Sequence, residues 1–193
     1  MIRARKLAKS FGERRVFADV DLDLDRGELL LVTGPNGSGK TTLLRVLAGL
    51  AAPSAGELTL PPRQTVGYLG HAPLVYRELT PLENLTLFGR LYRIPERRER
   101  IGMLLERFGL WHARNERAGS FSRGMQQRLA LCRALLHEPE LVVLDEPYSG
   151  LDAAGAELLD RELAELRATR TCLVSTHDPA RLDPLASDRL AFV

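Results

Sequence analysis

The stretch GPNGSGKTT, residues 34 to 42, constrains the fold more than any other part of the chain. It fits the spacing G-x-x-x-x-G-K-[ST], and it lies between two segments of the right kind. Before it comes ELLLVTG, nearly all apolar, as a buried strand would be; after it comes GKTTLLRVLAGL, where Leu43, Val46, Leu47 and Leu50 fall at helical spacing. Strand, glycine-rich turn and helix in that order aim backbone N–H groups and the positive end of a helix at one point. That point suits the phosphates of a nucleotide. Gly34, Pro35, Asn36, Gly37, Ser38 and Gly39 form the loop. Lys40 is expected to reach the β and γ phosphates, and Thr41, followed by Thr42, to coordinate Mg²⁺ through its hydroxyl.

The segments on either side of this loop set the fold class. MIRARKL and RVFADVDLDL read as strands, the second by its alternation, and APSAGEL supplies breakers before the strand-like ELTL and TVGYLG. The middle turns helical. TPLENLTLFGRLY has Thr80 as N-cap, Pro81 at the first helical position and Glu83 where a capping box wants it, with Leu82, Leu85, Phe88 and Tyr92 along one face. ERRERIGMLLERFGL adds a stripe of Ile101, Leu104, Leu105 and Phe108. SRGMQQRLALCRALL, ELVVLDEP, AAGAELLDRELAELRA, RTCLVSTHD and DRLAFV then read as helix, strand, helix, strand, strand. Such alternation implies a mainly parallel sheet, so the expected fold is α/β, one domain over residues 1–193, with a helical subdomain over about 72–135 inserted in the core.

Two further segments place chemistry at the sheet. In LVVLDEP, residues 141 to 147, the carboxylates Asp145 and Glu146 follow four apolar residues and so emerge at the C-terminal end of a strand, where open α/β sheets bind ligands. Asp145 is suited to the Mg²⁺ shell and Glu146 to polarising an attacking water. STHD, after another apolar run, puts His177 at the same end, in reach of a γ-phosphate. SFSRGMQQR, residues 120 to 128, sets Ser122 and Gly124 just before a helix and on its own reads as a helix cap.

The joint order of these segments resembles the ATP-binding cassette ATPases along essentially the whole chain: Walker A GPNGSGKT, signature FSRGMQQR, Walker B LVVLDE, D-loop SGLD at residues 149 to 152, and the switch histidine His177. The resemblance implies a P-loop NTPase with a RecA-like core and an N-terminal antiparallel β subdomain. It implies ATP and Mg²⁺ as ligands, Phe11 of KSFG as an aromatic stacked on adenine, and a head-to-tail homodimer. In that dimer the signature residues Ser122, Arg123, Gly124, Met125 and Gln126 would complete the partner's site, beside the D-loop residues Ser149, Gly150, Leu151 and Asp152. Phe121, Arg123 and Met125 stand where the usual signature has leucine, glycine and glutamine, while the phosphate-facing Ser122 and Gly124 are kept.

YLGHAP occupies the Q-loop of that family, with His71 in the place of the usual glutamine. Mg²⁺ prefers oxygen, so the expected role of this imidazole is to hydrogen-bond a catalytic water; the alternative is a polar strand end with no catalytic part. The stretch YLGHAPLVYRELTPLENLTLFGRLY resembles the haem-exporter ATPases of cytochrome c maturation. That likeness implies ATP hydrolysis for haem export, on the cytoplasmic face of the cell membrane, bound to integral-membrane permease subunits near residues 75 to 80. A generic drug, lipid or ion efflux ATPase is the alternative, since SRGMQQR also suits exporters; a non-transport cassette or a nucleotide-gated module without turnover ranks lower.

Composition agrees with this picture and narrows it. Twenty-seven basic against 25 acidic residues, spread along the chain, argue against a nucleic-acid partner. No run approaches the roughly eighteen apolar residues of a membrane helix, and MIRARKLAKSFG lacks a signal-peptide core, so a cytoplasmic chain touching the membrane only through partners is expected. Cys132 and Cys172 lie in apolar runs without CxxC spacing and are expected to be buried thiols.

Overall fold

The computed structural model describes residues 1–192. Two sheets form the frame. β1 (Ile2–Phe11), β2 (Arg14–Leu24) and β4 (Ala55–Thr59) make an antiparallel sheet in the order β2-β1-β4. β3 (Leu29–Thr33), β5 (Val66–Leu69), β6 (Leu141–Asp145), β7 (Thr171–Ser175) and β8 (Asp188–Ala191) make a parallel sheet in the order β5-β6-β7-β3-β8. The final strand expected over 188–193 is present through Ala191, and its last residue, Val193, lies outside the described residues.

The apolar runs of the parallel strands follow from burial on both faces. Along β3, Leu29 and Leu31 enter one core and Leu30 and Val32 the other; along β6, Val142 and Leu144 face one way and Leu141 and Val143 the other. Side chains alternate with period two, so a strand covered on both sides must be apolar at every position. One core lies beneath α1 (Lys40–Leu47) and the antiparallel sheet. The other takes α2 (Pro81–Leu91), α3 (Arg97–Arg107), α4 (Arg123–Leu135) and α5 (Ala153–Arg167).

The helices form where their caps and stripes direct them. Thr80 and Glu83 close the capping box at α2, each side chain taking the other's backbone N–H. Ile101, Leu104, Leu105 and Phe108 are all buried, as the stripe in α3 requires. Two expected apolar positions behave differently: Leu50 falls beyond the end of α1 and Tyr92 beyond α2, and both are exposed. Both thiols are free and buried; desolvation pushes the Cys172 thiol up to about 12 and Cys132 higher still, so neither forms a thiolate at neutral pH. Among the described residues no helix is long and apolar enough to cross a membrane.

Candidate nucleotide site

The loop after β3 needs its glycines for conformation and for room. Gly34 and Gly39 have φ of 140° and 112°, which disfavour any side chain. A Cβ on Gly34 would stand 2.7 Å from the Phe192 carbonyl oxygen, and one on Gly39 would stand 2.8 Å from Val16. The loop is thus wedged between β2 and the segment after β8. Gly39 is the N-cap of α1; it contributes no side chain, and the first turn holds no carboxylate. The first N–H groups of α1 are therefore open to an anion.

Lys40 is buried and folds back over its own loop, donating from Nζ to the carbonyls of Gly34 at 2.7 Å and Pro35 at 3.1 Å, with Glu146 Oε1 3.7 Å away. The Pro35 carbonyl also takes the Ser38 N–H. Asn36 and Gly37 are exposed at the tip. Gly37, Gly39, Lys40, Thr41 and Thr42 line a hollow of about 320 Å³ with Phe11, Arg14 and Val16. Phe11 ends β1, is 59% exposed, and carries the Lys9 ammonium 4.8 Å from its ring centroid, so it is no core residue and offers a ring face at the rim.

The strand order brings distant segments together. β7 lies between β3 and β6, so the residues after all three meet at the C-terminal end of the sheet. The Thr41 hydroxyl donates to Asp145 Oδ2 at 2.7 Å. Next to it, Glu146 adopts φ of 50°, and its Oε2 lies 2.9 Å from His177 Nδ1. A carboxylate only accepts, so the proton is on Nδ1 and the exposed far nitrogen Nε2 is left to accept or, when charged, to donate. Glu146 Oε1 is buried without a hydrogen-bond partner among the described residues, which suits a site that a water or substrate group is to complete.

Mg²⁺ fits these donors. The Thr41 hydroxyl and Asp145 carboxylate are oxygens, and one carboxylate beside substrate phosphates and water is the usual protein share of a Mg²⁺ site. No cluster of three or more His, Cys, Asp or Glu side chains that could hold an ion alone occurs among the described residues.

The other sequence-predicted residues lie outside this hollow. His71, just past β5, is exposed and lines a separate hollow of about 840 Å³ that also reaches Thr41. Ser122 caps α4, accepting the Met125 N–H at 3.2 Å, and Gln126 donates to the carbonyls of Ala118 and Phe121. Arg123 is exposed, and Met125 packs half-buried against the core. A Cβ on Gly124 would stand 3.0 Å from the Gly150 carbonyl oxygen, so the signature segment leans on the D-loop of its own subunit. In that loop Ser149 donates its N–H to Glu146 and Leu151 to Tyr148, while Asp152 caps α5 through the Gly155 N–H at 2.8 Å.

Three buried polar residues escape sequence reasoning. Ser175 joins Asp145 to Glu146; Gln127 donates to the Pro147 carbonyl at 3.0 Å; Arg133 donates to the Tyr68 carbonyl at 2.8 Å, just before the His71 loop. Their sequence signal is faint: a polar residue inside an otherwise apolar strand or helix face.

A phosphate loop at the mouth of a parallel sheet, a carboxylate pair two strands away, a histidine just past the end of the strand between, and an antiparallel sheet presenting an aromatic to the loop define a P-loop nucleotide-binding domain of the cassette type. The sequence pattern described as ABC transporter matches residues 17–149, and the chain belongs to that family. It is 40% identical over 185 residues to the uncharacterized ABC transporter ATP-binding protein YxlF of Bacillus subtilis, covering 92% of this chain and 62% of YxlF, so it spans less than two thirds of that relative. It is also 40% identical over 188 residues to the cytochrome c biogenesis ATP-binding export protein CcmA of Cupriavidus necator, covering 92% of this chain and 83% of CcmA. Among solved structures, the dimeric MJ0796, a bacterial ABC transporter cassette, superposes with a TM-score of 0.90 at 28% identity, covering 100% of this chain and 94% of that one.

Proposed function

We propose that this chain is the ATP-hydrolysing subunit of a transporter, working as a homodimer beneath integral-membrane permease subunits on the cytoplasmic face. The observation that carries the reading is the convergence of Lys40, Thr41, Asp145, Glu146 and His177 at one end of the parallel sheet. In this reading the α1 N-terminus and Lys40 bind the β and γ phosphates, exchanging the two loop carbonyls for phosphate oxygens, and Phe11 stacks on the adenine. Thr41 and Asp145 hold Mg²⁺, which when bound neutralises charge on the phosphate oxygens. Glu146 takes a proton from the attacking water as its oxygen bonds the γ-phosphorus and the bond to the ADP oxygen breaks. His177, its ring oriented by Glu146, donates to the γ-phosphate from Nε2 when both ring nitrogens carry protons, and His71 orders the water from the side of β5.

Ser122 is exposed and Gly124 half-buried at a helix N-terminus outside the phosphate hollow, which supports their use by a partner copy, and MJ0796 is dimeric. The helical stretch over about 72–135 is then the subdomain that carries the signature. Exposed Leu74 and Tyr76, beside His71, supply apolar surface for the permease.

For cargo we propose haem export in cytochrome c maturation. This rests on the GH at residues 70 and 71 with the LTPLENL helix, and on the likeness to CcmA across most of both chains. A drug, lipid or ion efflux ATPase is the second reading, supported by 38% identity to the daunorubicin resistance ATP-binding protein DrrA3 of Streptomyces coeruleorubidus. Purification with native membrane partners decides: recovery of cytochrome c maturation subunits together with haem-stimulated phosphate release supports haem export. An unrelated permease overturns the cargo and leaves the ATPase intact.

A further inference from the structure

We infer that Ser175 is a positioning residue for hydrolysis, acting through both carboxylates of the site; the inference rests on the ATPase reading above. Ser175 ends β7, is fully buried, and stands in register with Asp145 across the β6–β7 pair. Its hydroxyl donates to Asp145 Oδ1 at 2.6 Å and accepts the Glu146 N–H at 2.9 Å, while its own carbonyl lies 3.2 Å from that same N–H. One hydroxyl therefore has its donor and an acceptor lone pair committed, to two successive residues with different tasks.

The consequences are separate for the two residues. With Oδ1 held by Ser175, the Asp145 carboxylate plane has one orientation, and Oδ2 is the oxygen turned toward Thr41. Glu146 has φ of 50°, a left-handed backbone that a residue with a side chain adopts only where its surroundings impose it. The Ser175 hydroxyl and carbonyl supply that imposition by fixing the Glu146 N–H, and the side chain then lies between His177 and Lys40. Core packing does not ask for a hydroxyl here. Cys172, Leu173 and Val174, the preceding residues of β7, are buried and apolar or weakly polar, and a buried hydroxyl is unfavourable unless its hydrogen bonds are made.

Ser175→Ala removes the hydroxyl and nothing else, leaving Asp145 Oδ1 without its donor. Ser175→Thr and Ser175→Val share one shape and differ only in the hydroxyl, so the pair separates chemistry from volume. Two readouts apply to each purified variant: Mn²⁺ affinity in the presence of ATP, followed by the electron paramagnetic resonance of free Mn²⁺, and kcat with KM for ATP in phosphate release. The alanine and valine proteins are expected to bind Mn²⁺ about three- to tenfold more weakly and to lose about tenfold in kcat, with KM for ATP within about twofold, the size of one typical net hydrogen bond. The threonine protein is expected to keep both.

Equal Mn²⁺ binding and turnover in all four proteins overturns the inference. So does an equal loss in the threonine and valine proteins, which would make the role one of packing. A wild-type protein that binds ATP and Mn²⁺ yet releases no phosphate refutes the hydrolytic reading instead, and the order of Mn²⁺ affinities still decides the part Ser175 plays at Asp145.

Discussion

Replacing Glu146 by glutamine keeps the shape of the side chain and removes its basicity. Glutamine Oε1 can still accept from His177 Nδ1, which holds the present 2.9 Å contact, so the backbone at φ 50° and the ring orientation have no reason to change. What is lost is the acceptor for the water's proton. General-base catalysis contributes about 10²–10⁴ in rate, and at about 1.4 kcal/mol per decade that is roughly 3–6 kcal/mol of barrier. Removing a negative charge 3.7 Å from Lys40 also relieves the repulsion that a triphosphate meets on entry. ATP affinity should therefore be equal or tighter while kcat falls at least about a hundredfold, which together accumulate an ATP-bound dimer. Steady-state phosphate release, nucleotide titration and light scattering with ATP measure the three parts. Turnover within about threefold of wild type would refute the assignment of Glu146 as base.

Further predictions rest on other contacts. His71→Gln should keep substantial ATPase activity and His71→Ala should lose it; alanine turnover equal to wild type removes His71 from the reaction. Gln127→Leu leaves the Pro147 carbonyl buried without its donor, a cost of about 1–3 kcal/mol, which for a chain of this size lowers Tm by roughly 2–12 °C; an unchanged melting curve contradicts the contact. His137 is half-buried with its ring stacked on Tyr92, its Nε2 on the Val66 carbonyl and the Arg133 cation nearby. Burial, then Arg133, lower its pKa against the raising effect of Val66. A lowered pKa means that the unfolded chain binds the proton first, so the stability held above about pH 6.5 is lost as pH falls below it. His137→Gln should flatten the decline of Tm between about pH 7.5 and about pH 5.5, and an identical decline in both proteins would contradict this.

The phosphate loop, its strand and its helix were legible because all three are local: the glycines, the lysine and the apolar run lie within a short stretch and each states its own conformation. The capping box of α2 and the buried stripe of α3 were legible for the same reason. Strand order was not. That β7 lies between β3 and β6 is a matter of long-range pairing, and only this pairing puts Ser175 beside Asp145 and His177 beside Glu146. Leu50 and Tyr92 fit the helical period yet lie past the helix ends, since periodicity carries no signal of where a helix stops. Gln127 and Arg133 were hidden because a polar side chain on a buried helix face looks like any exposed one until its carbonyl partner is known.

The claim on which all else depends is that the loop around Lys40 binds the phosphates of ATP. Calorimetric titration of Mg²⁺–ATP into the purified wild-type chain and into Lys40→Met tests it most directly, because it needs neither membrane partners nor turnover. The account predicts saturable binding to the wild type and at least about a tenfold loss in the variant, one charge-assisted contact being worth about 1.5–3 kcal/mol. Equal affinity in both proteins, or no binding to the wild type, would contradict it.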